Sequence, residues 1–397
     1  MATTLLDLSV LATNTRTRGI GRYVADLALG IARAKRETTD LRVLGIERLG
    51  WVGNSVVTED LEGAVERLTD LSVPARAHAN WAYRVRVSLA AAAQSVAPDL
   101  IHTGHPNATP IGDLPCPRVT TCHDLIPLHY PKHYLTWRDG YRVGREKLDH
   151  RRYHSARHVI AVSQTTADDL IGLLRVPAEK VTVVYNGVDL SRWSSEPGEG
   201  DAEVRARYGL SEASYILGVG AANWRKNPVG TIQALARARK SVADQNLMLV
   251  WAARLGSETQ RLLVSTARQE GVEDAVRLIG YVPDDELAAL YRGAVAQVFV
   301  SRAEGFGYPV VEAMATGCPV ITSDRSSMAE IAGDAAVLVD PEQTDAIADA
   351  IVQLATDPDA RFSFAQRGVA RAQQFSLEKM ARRTLDVYRK VIAEDRG

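Results

Sequence analysis

Short apolar runs alternate with longer amphipathic stretches along almost the whole chain. The segments 4–10, 41–46, 100–103, 118–122, 159–162 and 181–185 are strand candidates of a first half. Runs at 215–220, 247–252, 276–279, 297–300, 320–322 and 336–339 read as strands of a second. Helix-period patterns separate most of them, and that alternation predicts parallel sheets covered by helices. The expected fold is α/β, with two doubly wound, Rossmann-like domains facing each other across a cleft.

The stretch 194–201 reads Ser-Ser-Glu-Pro-Gly-Glu-Gly-Asp, which has the chemistry of a connection. The expected layout is a first domain over 1–190, a linker over 191–206 and a second domain over 207–375. The segment 376–397 carries a strong helix pattern and no strand after it. Such a helix must pack on something, and a return to the first domain is one solution.

Bulk properties narrow the class. A chain of 397 residues exceeds the roughly 250–300 residues over which a single core grows. The net charge of -1 argues against a dedicated nucleic-acid binder, which shows a basic excess. Three cysteines, Cys116, Cys122 and Cys318, make an odd set without metal-type spacing, which fits a reducing compartment. The N-terminus carries Asp7 and no basic segment, so it reads as a strand and not a signal peptide. No apolar run approaches the roughly 18 residues of a membrane span. The expectation is a cytoplasmic protein, with a peripheral contact at the inner face of the membrane left open.

Ligands of doubly wound sheets sit beyond the carboxyl ends of the strands, so the chemistry is sought there. After the run at 297–300 the chain reads Ser301-Arg-Ala-Glu-Gly-Phe-Gly-Tyr-Pro-Val-Val-Glu-Ala-Met-Ala-Thr-Gly-Cys-Pro. Gly305 and Gly307 permit a tight turn, Pro309 suits the start of a short helix, and Gly317 suits its stop. The tip of that helix attracts a phosphate. Glu304 before it and Glu312 in its first turn are placed to accept hydrogen bonds from sugar hydroxyls.

This frame, Glu-Gly-Phe-Gly-x-Pro-x-x-Glu-Ala-Met-Ala-x-Gly-x-Pro-Val, resembles the signature of family-four retaining glycosyltransferases of the GT-B fold. The continuation, Ile321-Thr-Ser-Asp and Glu330-Ile-Ala-Gly-Asp-Ala-Ala, is similar to the same family. The resemblance implies that Glu312 holds the ribose and that Glu304 holds the transferred hexose, with the amides of Phe306 and Gly307. It implies that the amides of Val310 and Val311 take the diphosphate. Tyr308 stands where a small or aliphatic residue is commoner in the family.

Gly218-Val-Gly-Ala-Ala-Asn-Trp-Arg-Lys-Asn-Pro follows the first strand of the second half. Arg225 and Lys226 supply the positive charge that a departing diphosphate needs. Lys226 matches the family lysine, and Arg225 is the expected second cation. The Gly-x-Gly in this segment also resembles part of a dinucleotide fingerprint. It lacks the third glycine and the later acidic residue, so a dehydrogenase is the weaker reading. Backbone at Gly280, Tyr281 and Val282, with Leu287 nearby, borders the base by resemblance.

In the first half, Gly19 and Gly21 of Arg-Gly-Ile-Gly-Arg-Tyr let backbone approach a ligand at a helix start. His123 of Thr-Cys-His-Asp-Leu-Ile-Pro ends a strand, and by resemblance it contacts the transferred sugar. The stretch 133–158 is locally basic, with Trp137, Tyr141 and Leu148 on one helical face. Two readings stay open there: a solvated face over a packed stripe, or a membrane or lipid-diphosphate contact.

No metal cluster and no cofactor are expected. The donor expected by resemblance to surface-polysaccharide mannosyltransferases is GDP-mannose, with a UDP-hexose behind it. The acceptor is a glycan, a lipid-linked glycan or a small molecule. Rival readings are a sugar-nucleotide epimerase, a GT-B phosphorylase and a silent sugar-nucleotide binder.

Overall fold

The computed structural model describes residues 1–397 except 14, 17–18, 35–38, 49–55, 71–80, 106–107, 109–113, 135–144 and 243–245. The chain divides into two compact units, Met1–Gly187 with Ser376–Gly397, and Val188–Phe375.

The first unit holds strands β1 (Ala2–Asp7), β2 (Leu41–Arg48), β3 (Val56–Thr58), β4 (Leu100–Thr103), β5 (Arg118–Cys122), β6 (His158–Ala161) and β7 (Val181–Val183). They form one sheet in the order β3-β2-β1-β4-β5-β6-β7, parallel except for β3 against β2. β1 stops at Asp7 and not at position 10, because Asp7 Oδ1 accepts the Ser9 amide at 2.9 Å. That local bond competes with the ladder and turns the chain into a 3-10 segment, Ser9–Ala12.

Helix α1 (Gly19–Ala34) buries Tyr23, Val24, Leu27, Ala28 and Ile31 on one face. The C-terminal helix, Leu377–Arg396, buries Leu377, Met380, Ala381, Leu385, Tyr388 and Val391 at spacings of three and four. The two faces share one apolar core with Leu6, Leu8, Leu100 and Val119. The helix that ends the chain is therefore built into the first unit. Arg389 pairs with Asp40 at 2.8 Å and Arg396 with Asp99 at 2.6 Å, closing its polar edge.

The second unit holds strands β8 (Tyr215–Val219), β9 (Met248–Ala252), β10 (Val276–Gly280), β11 (Ala296–Phe299), β12 (Val320–Ser323) and β13 (Val337–Val339). Their order is β10-β9-β8-β11-β12-β13, all parallel. The order reverses between β8 and β11, and a ligand crevice belongs beyond the carboxyl ends of those two strands.

The segment expected as a linker, 191–206, is instead part of this unit. Trp193 is buried edge-on against Tyr291, with ring centroids 5.9 Å apart. Asp201 opens a short helix, Asp201–Arg207, and accepts two bonds at 2.6 Å from Arg292. Its Gly-Pro-Ser composition describes a turn-rich surface, and these tertiary partners order it.

Candidate active site

The switch point between β8 and β11 is occupied by charge. β8 leads through Gly220 into a 3-10 turn, Trp224–Lys226, before helix α2 (Pro228–Ser241). Asn223 caps that turn on the Lys226 amide at 3.2 Å, and Arg302 donates through its amide to Arg225 O at 2.8 Å. These bonds aim both cations at the loop after β11. There Lys226 Nζ stands 2.7 Å from Glu304 Oε1, and Arg225 pairs with Glu304 Oε2. Arg225 also donates to the Ala303 carbonyl at 2.8 Å. Lys226 lies 4.0 Å over the ring of Phe299.

Burial disfavours the Glu304 carboxylate, but Lys226 and Arg225 outweigh it and hold its pKa down, to about 2. Burial is also the main influence on Lys226 and lowers its pKa; Arg225 adds to that, while Glu304 and Glu312 oppose it. The trio brings two cations to one carboxylate, with Glu312 a second acid within electrostatic reach of Lys226.

The loop carrying Glu304 is pinned from below. Three helices bear on the site: α3 (Asp284–Gly293), α4 (Tyr308–Ala315), which the loop enters, and α5 (Ser326–Ala332), which holds the loop. Ser326 Oγ donates to the Glu304 carbonyl at 2.7 Å and accepts its amide at 3.1 Å. Ser327 Oγ bridges the carbonyls of Glu304 and Phe306 at 2.8 and 3.0 Å. Gly307 enters α4 at φ 109°, and a Cβ there would stand 2.3 Å from Met328 Cε. Only glycine takes this turn without strain.

Glu312 lies in the second turn of α4, one turn deeper than its spacing suggested, because the helix begins at Tyr308. It is buried, and Tyr291 Oη of α3 donates to its Oε2 at 3.3 Å. Gln297 donates to the same Tyr291 oxygen at 3.3 Å. The amide of Val311 forms the first bond of the helix, to Gly307 O at 3.5 Å, and that of Val310 reaches the same carbonyl at 3.0 Å. A residue four past the cap normally starts the helical ladder. Two of the donors expected for a diphosphate are therefore engaged within α4. Phe306 and Tyr308 stack edge-on, 5.4 Å apart, ahead of it.

Gly280 closes β10 at the same carboxyl edge, with φ 77° and no heavy atom within 4 Å of an added Cβ. Tyr281 is exposed, whereas Val282 and Leu287 are buried. Among the described residues, no group of three or more His, Cys, Asp or Glu is placed to hold a metal ion.

The first unit carries the remaining candidates. Gly19 opens α1, and Gly21 lies under the backbone of Thr15 and Arg16, whose atoms come within 2.4–2.6 Å of a Cβ position. His123, just after β5, donates from Nε2 to the Gly104 carbonyl at 2.7 Å, since a carbonyl only accepts. Burial lowers its pKa to about 4, against the opposing Gly104 bond. The ring is neutral at pH 7, and Nδ1 is its acceptor nitrogen. Tyr23 of α1 packs edge-on against it, 4.9 Å away at 79°. Trp137 and Tyr141 of the basic stretch lie outside the described residues.

Sequence reasoning missed Tyr291, Ser326 and Ser327. The Ser-Ser pair opens a helix that its hydroxyls do not cap, and their bonds to a loop more than twenty residues earlier left no local signal. Tyr291 had none, being one more aromatic on an apolar helix face.

The chain is similar to glycosyltransferases of known sequence and structure. The profile described as Glycosyl transferases group 1 matches residues 201–371, and that described as Glycosyltransferase Family 4 matches residues 17–192. The O-antigen chain mannosyltransferase B of Escherichia coli is 33% identical over 273 residues, covering 68% of this chain and 70% of that protein. A D-inositol 3-phosphate glycosyltransferase of Salinispora tropica is 33% identical over 254 residues, covering 61% of this chain and 52% of its own length. Among solved structures, sucrose-phosphate synthase of Thermosynechococcus elongatus has a TM-score of 0.75 at 20% identity, covering 99% of this chain and 100% of that one. The Anabaena protein HepE in complex with UDP and glucose has a TM-score of 0.71 at 19% identity, covering 98% and 99%. The fold is GT-B, with two Rossmann-like domains. The chain belongs to the family-four glycosyltransferases.

Proposed function

We propose that this glycosyltransferase moves a hexose, mannose from GDP-mannose in the first place, to a hydroxyl of a glycan or lipid-linked glycan, with retention at the anomeric carbon and without a metal ion. The observation that supports it most is the Arg225–Lys226–Glu304 trio at the switch point of the second sheet. The mannose assignment follows the O-antigen mannosyltransferase relative. A UDP-hexose is the second reading, favoured by the HepE structure that holds UDP and glucose.

In this reading the bond from the anomeric carbon to the diphosphate oxygen breaks, and negative charge grows on the diphosphate. Arg225 and Lys226 take up that charge, a task worth about 3 kcal/mol for one well-placed donor. Glu304 holds the hexose hydroxyls, and Glu312, oriented by Tyr291, holds the ribose. His123 accepts a hydrogen bond from a sugar hydroxyl at Nδ1. The acceptor hydroxyl attacks from the face the diphosphate leaves and gives its proton to the departing phosphate oxygen.

A thermal-shift panel of GDP-mannose, UDP-glucose and UDP-N-acetylglucosamine identifies the donor, because a ligand bound to the folded state raises its melting temperature. Product NMR then reads the anomeric configuration, and an EDTA arm reads metal dependence. An inverted product, or activity abolished by EDTA and restored by Mg²⁺, overturns the reading. Donor hydrolysis or epimerisation with no acceptor transfer would move the chain to another enzyme class.

A further inference from the structure

A continuous set of buried polar groups runs from the C-terminal helix to His123. Tyr388, on that helix, places its hydroxyl 2.6 Å from Nδ1 of His102 on β4. His102 Nε2 lies 2.8 Å from Oγ1 of Thr121 on β5. The same Oγ1 lies 2.8 Å from the hydroxyl of Tyr23 on α1. Tyr23 in turn sets its ring edge-on to the His123 imidazole at 4.9 Å. The other support of His123, the Gly104 carbonyl, is two residues beyond His102. Tyr388, His102, Thr121 and Tyr23 are all fully buried.

Apolar side chains of the same shape would fill this space without the cost of desolvating four polar groups. What the polar chain adds is orientation. A neutral imidazole donates from one nitrogen and accepts at the other, so the hydrogens along the chain are ordered as a unit. Each ring is thereby held in one rotamer, and cooperative bonds of this kind stiffen a core. Thr121 is two residues before His123 and Tyr23 is two residues after Gly21, so the chain braces both candidate segments of the first unit.

We propose that Tyr388 is a positioning residue for the transfer reaction: through His102 and Thr121 it holds Tyr23, and with it the orientation of the His123 imidazole. This rests on the reading that His123 contacts the transferred sugar. The C-terminal helix is then part of the site's scaffold as well as of its core.

The test uses the full chain with ¹⁵N-labelled histidine, assigning His123 by its loss in His123→Gln. Tyr388→Phe removes one hydroxyl. The expected result is altered His123 ring ¹⁵N shifts and a kcat lower by about tenfold with a donor KM within about twofold, the signature of a misplaced group. Leu385→Ala, on the same helix, lowers stability without touching the chain and should leave the His123 signals in place. If Tyr388→Phe does not fold, Thr121→Val takes its role, and Thr121→Ser, which restores a hydroxyl, must restore the signals. Unmoved His123 signals in folded Tyr388→Phe or Thr121→Val overturn the proposal, as does the same shift in Leu385→Ala. Should the signals move as expected while His123→Ala transfers sugar normally, the positioning chain stands and the sugar-contact reading falls.

Discussion

Lys226 Nζ and Glu304 Oε1 are 2.7 Å apart although they come from different strand ends, 78 residues apart in the chain. The contact decides how substitutions at this site behave. Removing Glu304 outright leaves two partly buried cations facing each other, and breaking such a pair costs up to about 3–5 kcal/mol. Loss of activity in Glu304→Ala would thus mix chemistry with instability. Glu304→Gln keeps the shape. With Lys226→Ala, it is expected to lower kcat by about 10²–10³-fold while circular dichroism stays native. Near-normal turnover in both variants would remove the trio from the mechanism.

The pH profile should carry the mark of Lys226. Burial lowers its pKa from the ordinary 10.5, so the cation is lost at lower pH than a solvated lysine would lose it. Activity therefore falls on the alkaline side as pH rises through that lowered value. Lys226→Arg keeps its charge to much higher pH and should move the alkaline limb upward. A limb that stays where it was assigns the titration to another group.

Tyr291 is expected to act on nucleotide binding and, through the buried Gln297 amide that donates to it, on stability, but not on the chemical step. Tyr291→Phe removes the hydroxyl that orients Glu312, a hydrogen bond to a charged group worth about 1.5–3 kcal/mol. Calorimetry with GDP or UDP should show affinity lower by about tenfold, with kcat at saturating donor little changed. Unchanged affinity would mean that Glu312 does not hold the ribose.

Gly307→Ala should strain the entry to α4. Its φ of 109° and the Met328 Cε at 2.3 Å from a Cβ position act together. A cost of roughly 1–3 kcal/mol is expected from the backbone alone. Met328→Ala removes the clash but carries a cavity cost of its own, Met328 being fully buried, so Gly307→Ala should still lower the melting temperature when measured against that background. No loss in the Met328→Ala background would show that the dihedral carries no strain.

Acid should weaken the first unit. Burial lowers the pKa of His102 and His105 to about 3 and that of His123 to about 4 from 6.5. Below pH 6.5 the unfolded chain binds protons that the folded chain refuses. The stability contributed by the neutral rings is full above 6.5 and is lost as pH falls towards 4 and 3, at up to about 1.4 kcal/mol per pH unit for each ring. Melting curves between pH 8 and pH 5 measure this, and a flat melting temperature would contradict it.

How far the sequence foretells this site depends on how local each signal is. β4 and β5 have the bounds that the sequence predicts, because turn residues punctuate them, Pro98 and Gly104 around the first and Pro117 before the second, although both strands mix polar residues with apolar ones. β3 left no such trace, being three residues at the sheet edge with an exposed first position. The cations, Glu304 and His123 were legible because each follows a strand end. Tyr388 was not, since its partner His102 lies 286 residues away. Asp201 likewise looked like linker until Arg292, 91 residues on, supplied its bond.

The helix at the end of the chain also sets an order of events during synthesis. Val188–Phe375 is one uninterrupted stretch, whereas the other unit needs Ser376–Gly397 to complete its core. On the ribosome, the later-encoded unit has all of its residues first, and the earlier-encoded one must wait for the final helix. A nascent chain stalled before Leu377 would hold a complete second unit and a first unit whose apolar flank on α1 is still uncovered, the state most open to chaperones and proteases.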